Sequence, residues 1–336
     1  EEIIFTAGAT ESTNFIIKGY LDYRKYYGDG KNHVITSLVE HKATLNTCRY
    51  LNGELYSNND PTISLFGEKK RVDRGFEASF VGVTSNGEIS VEEIENAIKE
   101  NTALVSILYV NNEIGSISDV SRVSEICKSH NIALHSDLTQ ALGKLEIDVK
   151  KLGIDYASCS AHKIYGPKGI GAAYMKPDAY GIAPITAFMH GGEQEFGYRA
   201  GTHAVHNIVG FGKAAEIALR DMKKNETHIQ KLDELLLHGI ANIDGIHTTV
   251  NESKRIPGIV SLVVEKEDFH NERFIKKISE EVALSTGSAC SAGEPSYVIQ
   301  ALGLGDKVTK VLRVSINKFT TESDINEFIK LLRAEI

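Results

Sequence analysis

Apolar, β-rich runs alternate with helix-period segments through the first two-thirds of this chain, and that alternation restricts its fold more than any other feature. Strand patterns stand at residues 3–5, 33–39, 78–83, 104–109, 132–136, 156–160 and 171–175. Helical patterns fill the gaps at 11–23, 41–51, 91–100, 120–130 and 141–143. Strands separated by helices imply βαβ units and a mostly parallel sheet flanked by helices, an α/β fold. Functional groups then belong at the C-terminal ends of the strands. The pattern breaks near 204–212, before helical segments at 207–224 and 226–238, a strand at 258–264 and helices at 271–281 and 322–334. The expected division is a large domain over 1–206 and a smaller C-terminal α+β domain over 207–336. Residues 56–74 are polar and turn-rich and read as a surface insertion.

Composition narrows the function classes. At 336 residues, 42% hydrophobic and 24% charged, the chain can bury a sizeable core as an ordinary globular protein. A net charge of −8 gives no reason to expect direct nucleic-acid binding. No stretch approaches the roughly 18 apolar residues of a membrane span. The sequence starts at Glu1 without the basic and apolar regions of a secretory signal, and residues upstream of it are expected. Cys48, Cys127, Cys159 and Cys290 lie far apart, with no CxxC and no zinc-like spacing. That favours a reducing compartment and no bound metal. The cytoplasm is expected, or an organelle matrix should a targeting segment have been removed.

Lys163 carries the chemistry. It ends an apolar run in Ser158-Cys-Ser-Ala-His-Lys-Ile-Tyr-Gly-Pro-Lys-Gly169, an unusual place to bury a charge, while Leu134-His-Ser-Asp-Leu-Thr-Gln140 puts Asp137 and Gln140 at another strand end. An aldehyde-bearing pyridine cofactor needs an amine to hold it and a carboxylate to keep its ring nitrogen protonated. The backbone amides of Gly8-Ala9-Thr10, between a strand and a helix, suit an anion, although Thr at a helix start is more often a plain cap. His41 opens a helix, where a histidine is usually a cap or surface residue. Arg313, flanked by apolar residues, needs an anionic partner, either an internal carboxylate or a ligand. Cys290 lies in a polar Gly/Ser loop, whereas the other three cysteines suit inert, buried positions.

Taken in order, Phe5-Thr-Ala-Gly-Ala-Thr-Glu-Ser12, Glu40-His-Lys42, Val110-Asn-Asn-Glu-Ile-Gly115, Asp137 with Gln140, the Lys163 run, Arg199-Ala-Gly-Thr202, Ser285-Thr-Gly-Ser-Ala-Cys290 and Leu312-Arg-Val-Ser315 resemble the pyridoxal-phosphate cysteine desulfurases that feed iron–sulfur and thiolation pathways. The resemblance covers nearly the whole chain and implies the type I pyridoxal-phosphate fold. It implies that Lys163 holds pyridoxal 5'-phosphate, and that Ala9, Thr10, Ser160 and His162 take its phosphate. By the same resemblance, Thr202 reaches the partner's phosphate in a homodimer. His41 stacks on the ring and moves protons, Asp137 bonds the ring nitrogen, and Gln140 bonds the phenolic oxygen. Asn112 lies near that oxygen or the substrate carboxylate, and Arg313 binds the α-carboxylate of L-cysteine. Cys290 takes the sulfur as a persulfide, L-alanine leaves, and a sulfur-acceptor protein of unspecified identity follows.

Some positions depart from the family pattern. The loop after Cys290 is about two residues short, Glu193 stands where a third glycine is usual, and Leu138 replaces a small residue. Iron–sulfur assembly, tRNA thiolation and DNA phosphorothioation all stay open as destinations for the sulfur. A selenocysteine lyase, another pyridoxal-phosphate lyase or aminotransferase, and a cofactor-free scaffold are the rival readings.

Overall fold

The computed structural model describes residues 2–54, 72–287 and 295–336. Most of the 56–74 stretch, and Cys290 with its immediate neighbours, lie outside them. The chain forms two compact units: one of Glu1–Gly82, Ile89–Tyr109 and Asp119–Leu219, the other of Val83–Glu88, Val110–Ser118 and Arg220–Ile336.

The first unit is built on seven strands: β1 (Ile3–Thr6), β2 (His33–Ser37), β3 (Glu77–Val81), β4 (Thr102–Leu108), β5 (Ala133–Asp137), β6 (Tyr156–Ser160) and β7 (Gly171–Met175). Their spatial order is β1-β7-β6-β5-β4-β2-β3. Strands β3, β2, β4, β5 and β6 run parallel, and β7 is antiparallel to both β6 and β1. Every residue of β2, β4 and β5 is buried, as expected where helices cover both faces of a parallel sheet. The packing helices include α1 (Ala9–Tyr26), α2 (Lys42–Leu51), α3 (Val91–Asn96), α4 (Val120–Ser129) and the one-turn α5 (Val149–Leu152). Phe15, Ile16, Ile17 and Leu21 of α1 are fully buried in one core cluster with Ile4, Val34, Leu104 and Ala173. Each such side chain contributes about 1.5–3 kcal/mol.

Buried polar groups in the sheet are paired in a line. His135 Nδ1 meets Ser106 Oγ at 2.8 Å, its Nε2 meets Ser158 Oγ at 3.2 Å, and Thr13 Oγ1 donates to Ser158 Oγ at 2.9 Å. Burial pushes the pKa of His135 down to about 3, so its ring is neutral and bridges three elements.

In the second unit, β8 (Ile246–Thr248), β9 (Ile259–Val264) and β10 (Val311–Ser315) form an antiparallel sheet in the order β10-β9-β8. Helices α7 (Asn271–Lys277), α8 (Tyr297–Ala301) and α9 (Glu322–Glu335) belong to the same unit. A capping box between Thr321 and Asp324 starts α9. Arg255 and Asp233 form a buried fork, Nη1–Oδ1 2.9 Å and Nη2–Oδ2 2.7 Å, and Gly258 N donates to the same Oδ1 at 2.8 Å.

One difference from the sequence reading is plain. The segments read as separate helices at 207–224 and 226–238 are one helix, α6 (Val205–Ile240). Asn225 between them is no breaker: Lys223 pairs with Glu226 at 3.0 Å, and Thr227 Oγ1 bonds Lys223 O one turn back. The short pattern at 141–143 is a hydrogen-bonded turn.

Candidate active site

The C-terminal ends of β2, β5 and β6 deliver the key groups of the first unit. Asp137 is the last residue of β5, is 7% exposed, and accepts from Thr139 N at 2.9 Å. Lys163 follows β6 in a 3₁₀ turn, Ala161–Ile164. The turn lifts it clear of the sheet, so the lysine is exposed rather than buried as the sequence suggested. His41 caps α2, its Nδ1 accepting from Ala43 N at 3.1 Å, which leaves Nε2 carrying the proton. Burial lowers the His41 pKa. Among nearby charges Asp137 raises it and Lys163 and Lys42 lower it further. His41 therefore sits within the electrostatic reach of both.

A candidate anion cradle lies beside them. Helix α1 has Gly8 as its N-cap with no side-chain hydrogen bond, so the amides of its first turn are not taken by a cap. Ser160 is adjacent, since a Cβ built on Gly8 would lie 3.9 Å from its Oγ, and Ser160 Oγ meets His162 Nδ1 at 2.7 Å. Thr10 is exposed in that first turn. A Cβ on Gly171 of β7 would fall 2.6 Å from Gly8 Cα, so only glycine lets the strand pass this close. Arg199 forks onto Glu11 of α1 (Nε–Oε1 2.8 Å, Nη2–Oε2 3.3 Å), and Glu11 Oε2 accepts from Ala7 N at 2.6 Å. This brings the Arg199–Thr202 loop to the helix start, with Thr202 exposed. An open amide terminus beside hydroxyl and imidazole groups, with an amine and a buried carboxylate nearby, fits the phosphate, aldehyde and ring nitrogen of pyridoxal phosphate.

The second unit gathers the remaining candidates. Arg313 in β10 is half-buried and donates from Nη1 to Asn112 O at 3.2 Å. Burial lowers its pKa and the Glu113 carboxylate raises it. The backbones of Arg313 and Ser285 form a bridge, Arg313 N to Ser285 O at 2.7 Å. Past residues 288–294, Ser296 Oγ donates to Glu113 Oε2 at 2.6 Å. Both flanks of the run containing Cys290 are thus tied to the Asn112–Glu113 and Arg313 neighbourhood. Cys48 and Cys127 are buried, and burial pushes Cys127 and Cys159 up to about 12. None of the described cysteines is a thiolate near neutral pH.

Two residues with a bearing on the site were given no role in the sequence reading. Glu40, fully buried beside His41, accepts from Ser37 Oγ at 2.6 Å and Leu108 N at 3.1 Å. Burial pushes its carboxyl up to about 8 from an ordinary 4.5. Lys144 donates to Gln140 Oε1 at 2.8 Å, and only the four-residue spacing signalled it. The folded state keeps the Glu40 proton that the unfolded chain gives up. Its stabilising effect is full below pH 4.5 and is lost as pH rises through about 8. Glu40→Gln should remove this dependence. In urea unfolding at a series of pH values, the gap to wild type should narrow by up to about 1.4 kcal/mol per unit over that window; a constant gap would mean an ionised Glu40.

The fold is that of a pyridoxal-phosphate enzyme. The chain belongs to the class-V aminotransferase family, whose model matches residues 1–56 and 66–328. The protein named cysteine desulfurase IscS of Aeromonas salmonicida (strain A449) is 41% identical over 338 residues, which span 100% of this chain and 77% of the relative. The cysteine desulfurase IscS of Shewanella sediminis (strain HAW-EB3) is 42% identical with the same coverage. A solved structure named a NifS-like protein has a TM-score of 0.83 at 32% identity, over 99% of this chain and 82% of its own. DndA from Streptomyces lividans has a TM-score of 0.74 at 32% identity, over 94% and 83% respectively.

Proposed function

We propose that this chain is a cysteine desulfurase that moves the sulfur of L-cysteine onto Cys290 and releases L-alanine. The observation that carries the reading is the convergence of Asp137, His41 and Lys163 at strand C-termini beside the open N-terminus of α1. Pyridoxal 5'-phosphate would be held by Lys163, the Ala9 and Thr10 amides, Ser160, His162, Asp137 and Gln140. Bound there, it supplies an electron sink for charge developing at the substrate Cα.

Arg313 binds the cysteine carboxylate as a two-pronged donor, with Asn112 alongside. The Lys163 amine takes the Cα proton. His41, neutral with Nδ1 engaged by Ala43, keeps Nε2–H for proton transfer. Asp137 gives the ring nitrogen a charged partner. The Cys290 thiolate attacks the substrate sulfur: the Cβ–S bond breaks, an S–S bond forms, and the departing carbon gains a proton. Cysteine and enzyme thiol thus become alanine and enzyme persulfide, with no external oxidant or reductant. An acceptor thiol then takes the outer sulfur.

The working form is a homodimer in this reading. Phe196 (67% exposed), Val205 and Val209 put apolar surface beside the Thr202 loop, suited to a second copy. The destination of the sulfur is a thiol-bearing acceptor protein, and the working compartment is the reducing cytoplasm.

Alanine release from L-cysteine by Cys290→Ala should fall at least about 1,000-fold, the scale on which removing a nucleophile acts, while cysteine still perturbs the cofactor absorbance. Equal alanine from wild type and variant would replace desulfuration through Cys290 with a lyase that needs no thiol.

A further inference from the structure

Gln140 and Lys144 lie four residues apart in the turn that leaves β5. Backbone bonds fix this turn: Ala141 N and Leu142 N both donate to Leu138 O (3.0 and 2.8 Å), and Lys144 N and Leu145 N to Ala141 O (3.0 and 2.9 Å). Gly143 within it has φ +71°, and a Cβ there would come 3.0 Å from Ile164 Cγ2 and 3.1 Å from Ala218 Cβ. The turn is therefore seated against the residue that follows Lys163, with no room for a side chain between. On this platform Lys144 Nζ donates to Gln140 Oε1 at 2.8 Å.

An amide side chain has two unlike ends, a carbonyl that accepts and an NH₂ that donates, and it can turn either one to a ligand. An ammonium has no acceptor. A lysine ammonium beside Gln140 therefore takes the carbonyl end. What remains for any ligand is the NH₂. We propose that Lys144 is a positioning residue that locks the Gln140 amide with its NH₂ toward the cofactor, so that the site selects an anionic phenolate-type oxygen over a neutral hydroxyl. The inference rests on the reading of Gln140 as a cofactor contact. Burial brings the Lys144 pKa down to about 8, and the nearby Lys163 charge lowers it too. Near neutral pH it is still largely the ammonium.

The consequence differs from that of a merely structural lysine. A packing residue would affect all ligands alike, whereas an orienting residue matters only where the ligand has an oxygen for the amide to meet. Pyridoxal phosphate and its 3-deoxy analogue, which lacks the ring hydroxyl, distinguish the two cases.

The experiment titrates each compound into cofactor-free full-length protein and follows binding by fluorescence. Lys144→Met keeps the apolar stem and removes the donor, and should weaken pyridoxal phosphate about 3- to 10-fold, the worth of one net hydrogen bond. Lys144→Arg, which keeps a donor, should stay within about 2-fold of wild type. The 3-deoxy analogue should bind wild type and Lys144→Met equally. In a Gln140→Ala background, Lys144→Met should add nothing. Equal weakening of both compounds by Lys144→Met, or a full effect in the Gln140→Ala background, would overturn the orienting role while leaving Gln140 as a contact. Unchanged binding in Gln140→Ala itself would remove that contact, and the proposal with it.

Discussion

Lys163→Ala should lower alanine formation from L-cysteine by at least about 1,000-fold, within the range that a positioned proton-transfer group supplies. The residue combines two tasks in the proposed chemistry, holding the cofactor aldehyde and carrying the Cα proton, and no neighbour duplicates both. His41 has its Nδ1 engaged by Ala43 N, and Lys144 is engaged with Gln140. The variant should fold normally, because Lys163 is exposed on a short 3₁₀ turn whose flanking Ala161 and Ile164 carry the packing. Unchanged thermal unfolding with lost turnover is the expected pair of results. A small primary amine added to the medium should restore part of the proton transfer and none of the covalent attachment. Turnover close to wild type in Lys163→Ala would take the proton-transfer role away from this residue.

Asp233→Ala should destabilise the protein by about 3–5 kcal/mol, the cost of leaving a buried charge without its partner. Arg255 is 5% exposed, and both its terminal nitrogens lie on Asp233. Such a loss is large against a total of roughly 5–15 kcal/mol for a typical domain. Replacing both residues, Asp233→Leu with Arg255→Met, should recover part of it, because the pair itself repays little beyond its own desolvation. Recovery stays incomplete: Gly258 N loses its acceptor, Asp233 Oδ1, at about 1–3 kcal/mol. Denaturant unfolding of the two variants and wild type measures each step. An equally unstable double variant would show that packing, not charge, sets the cost. In the proposed chemistry the pair also bears on substrate binding. Ser116 bridges to Arg255, Ile117 N bonds Lys254 O and Ile256 N bonds Gly115 O, so residues 254–256 hold the segment carrying Asn112. A raised KM for cysteine should accompany the loss of stability.

Much of this was legible in the sequence because strand ends and chemistry coincide. The runs ending at Ser37, Asp137 and Ser160 alternate with helical segments, and His41, Asp137 and Lys163 follow directly from where those strands stop. Arg313 among apolar neighbours signalled a half-buried cation, and the structure places it in β10 against Asn112 O. Other features depend on partners far away in the chain. Residues 110–118 fall within the 1–206 expected for the large domain, yet they are compact with the second unit, where Ser116 bridges Arg255. Glu40 stands in the Glu40-His-Lys42 run with no role of its own legible there. Its unusual proton affinity arises only when Leu108, 68 positions on, closes over it. The continuity of α6 was hidden by Asn225, whose weak helix preference a neighbouring Lys223–Glu226 pair outweighs.

The passage of Gly171 against Gly8 makes the start of α1 a bearing with no moving parts. Backbone meets backbone there, with no rotamer between β7 and the helix end to reshuffle with heat, solvent or ligand. An anion arriving at those amides has no side chain to order, so that part of the entropy of binding has been met during folding. Loss of a phosphate from this end on heating should accordingly track the melting of the sheet rather than any local loosening.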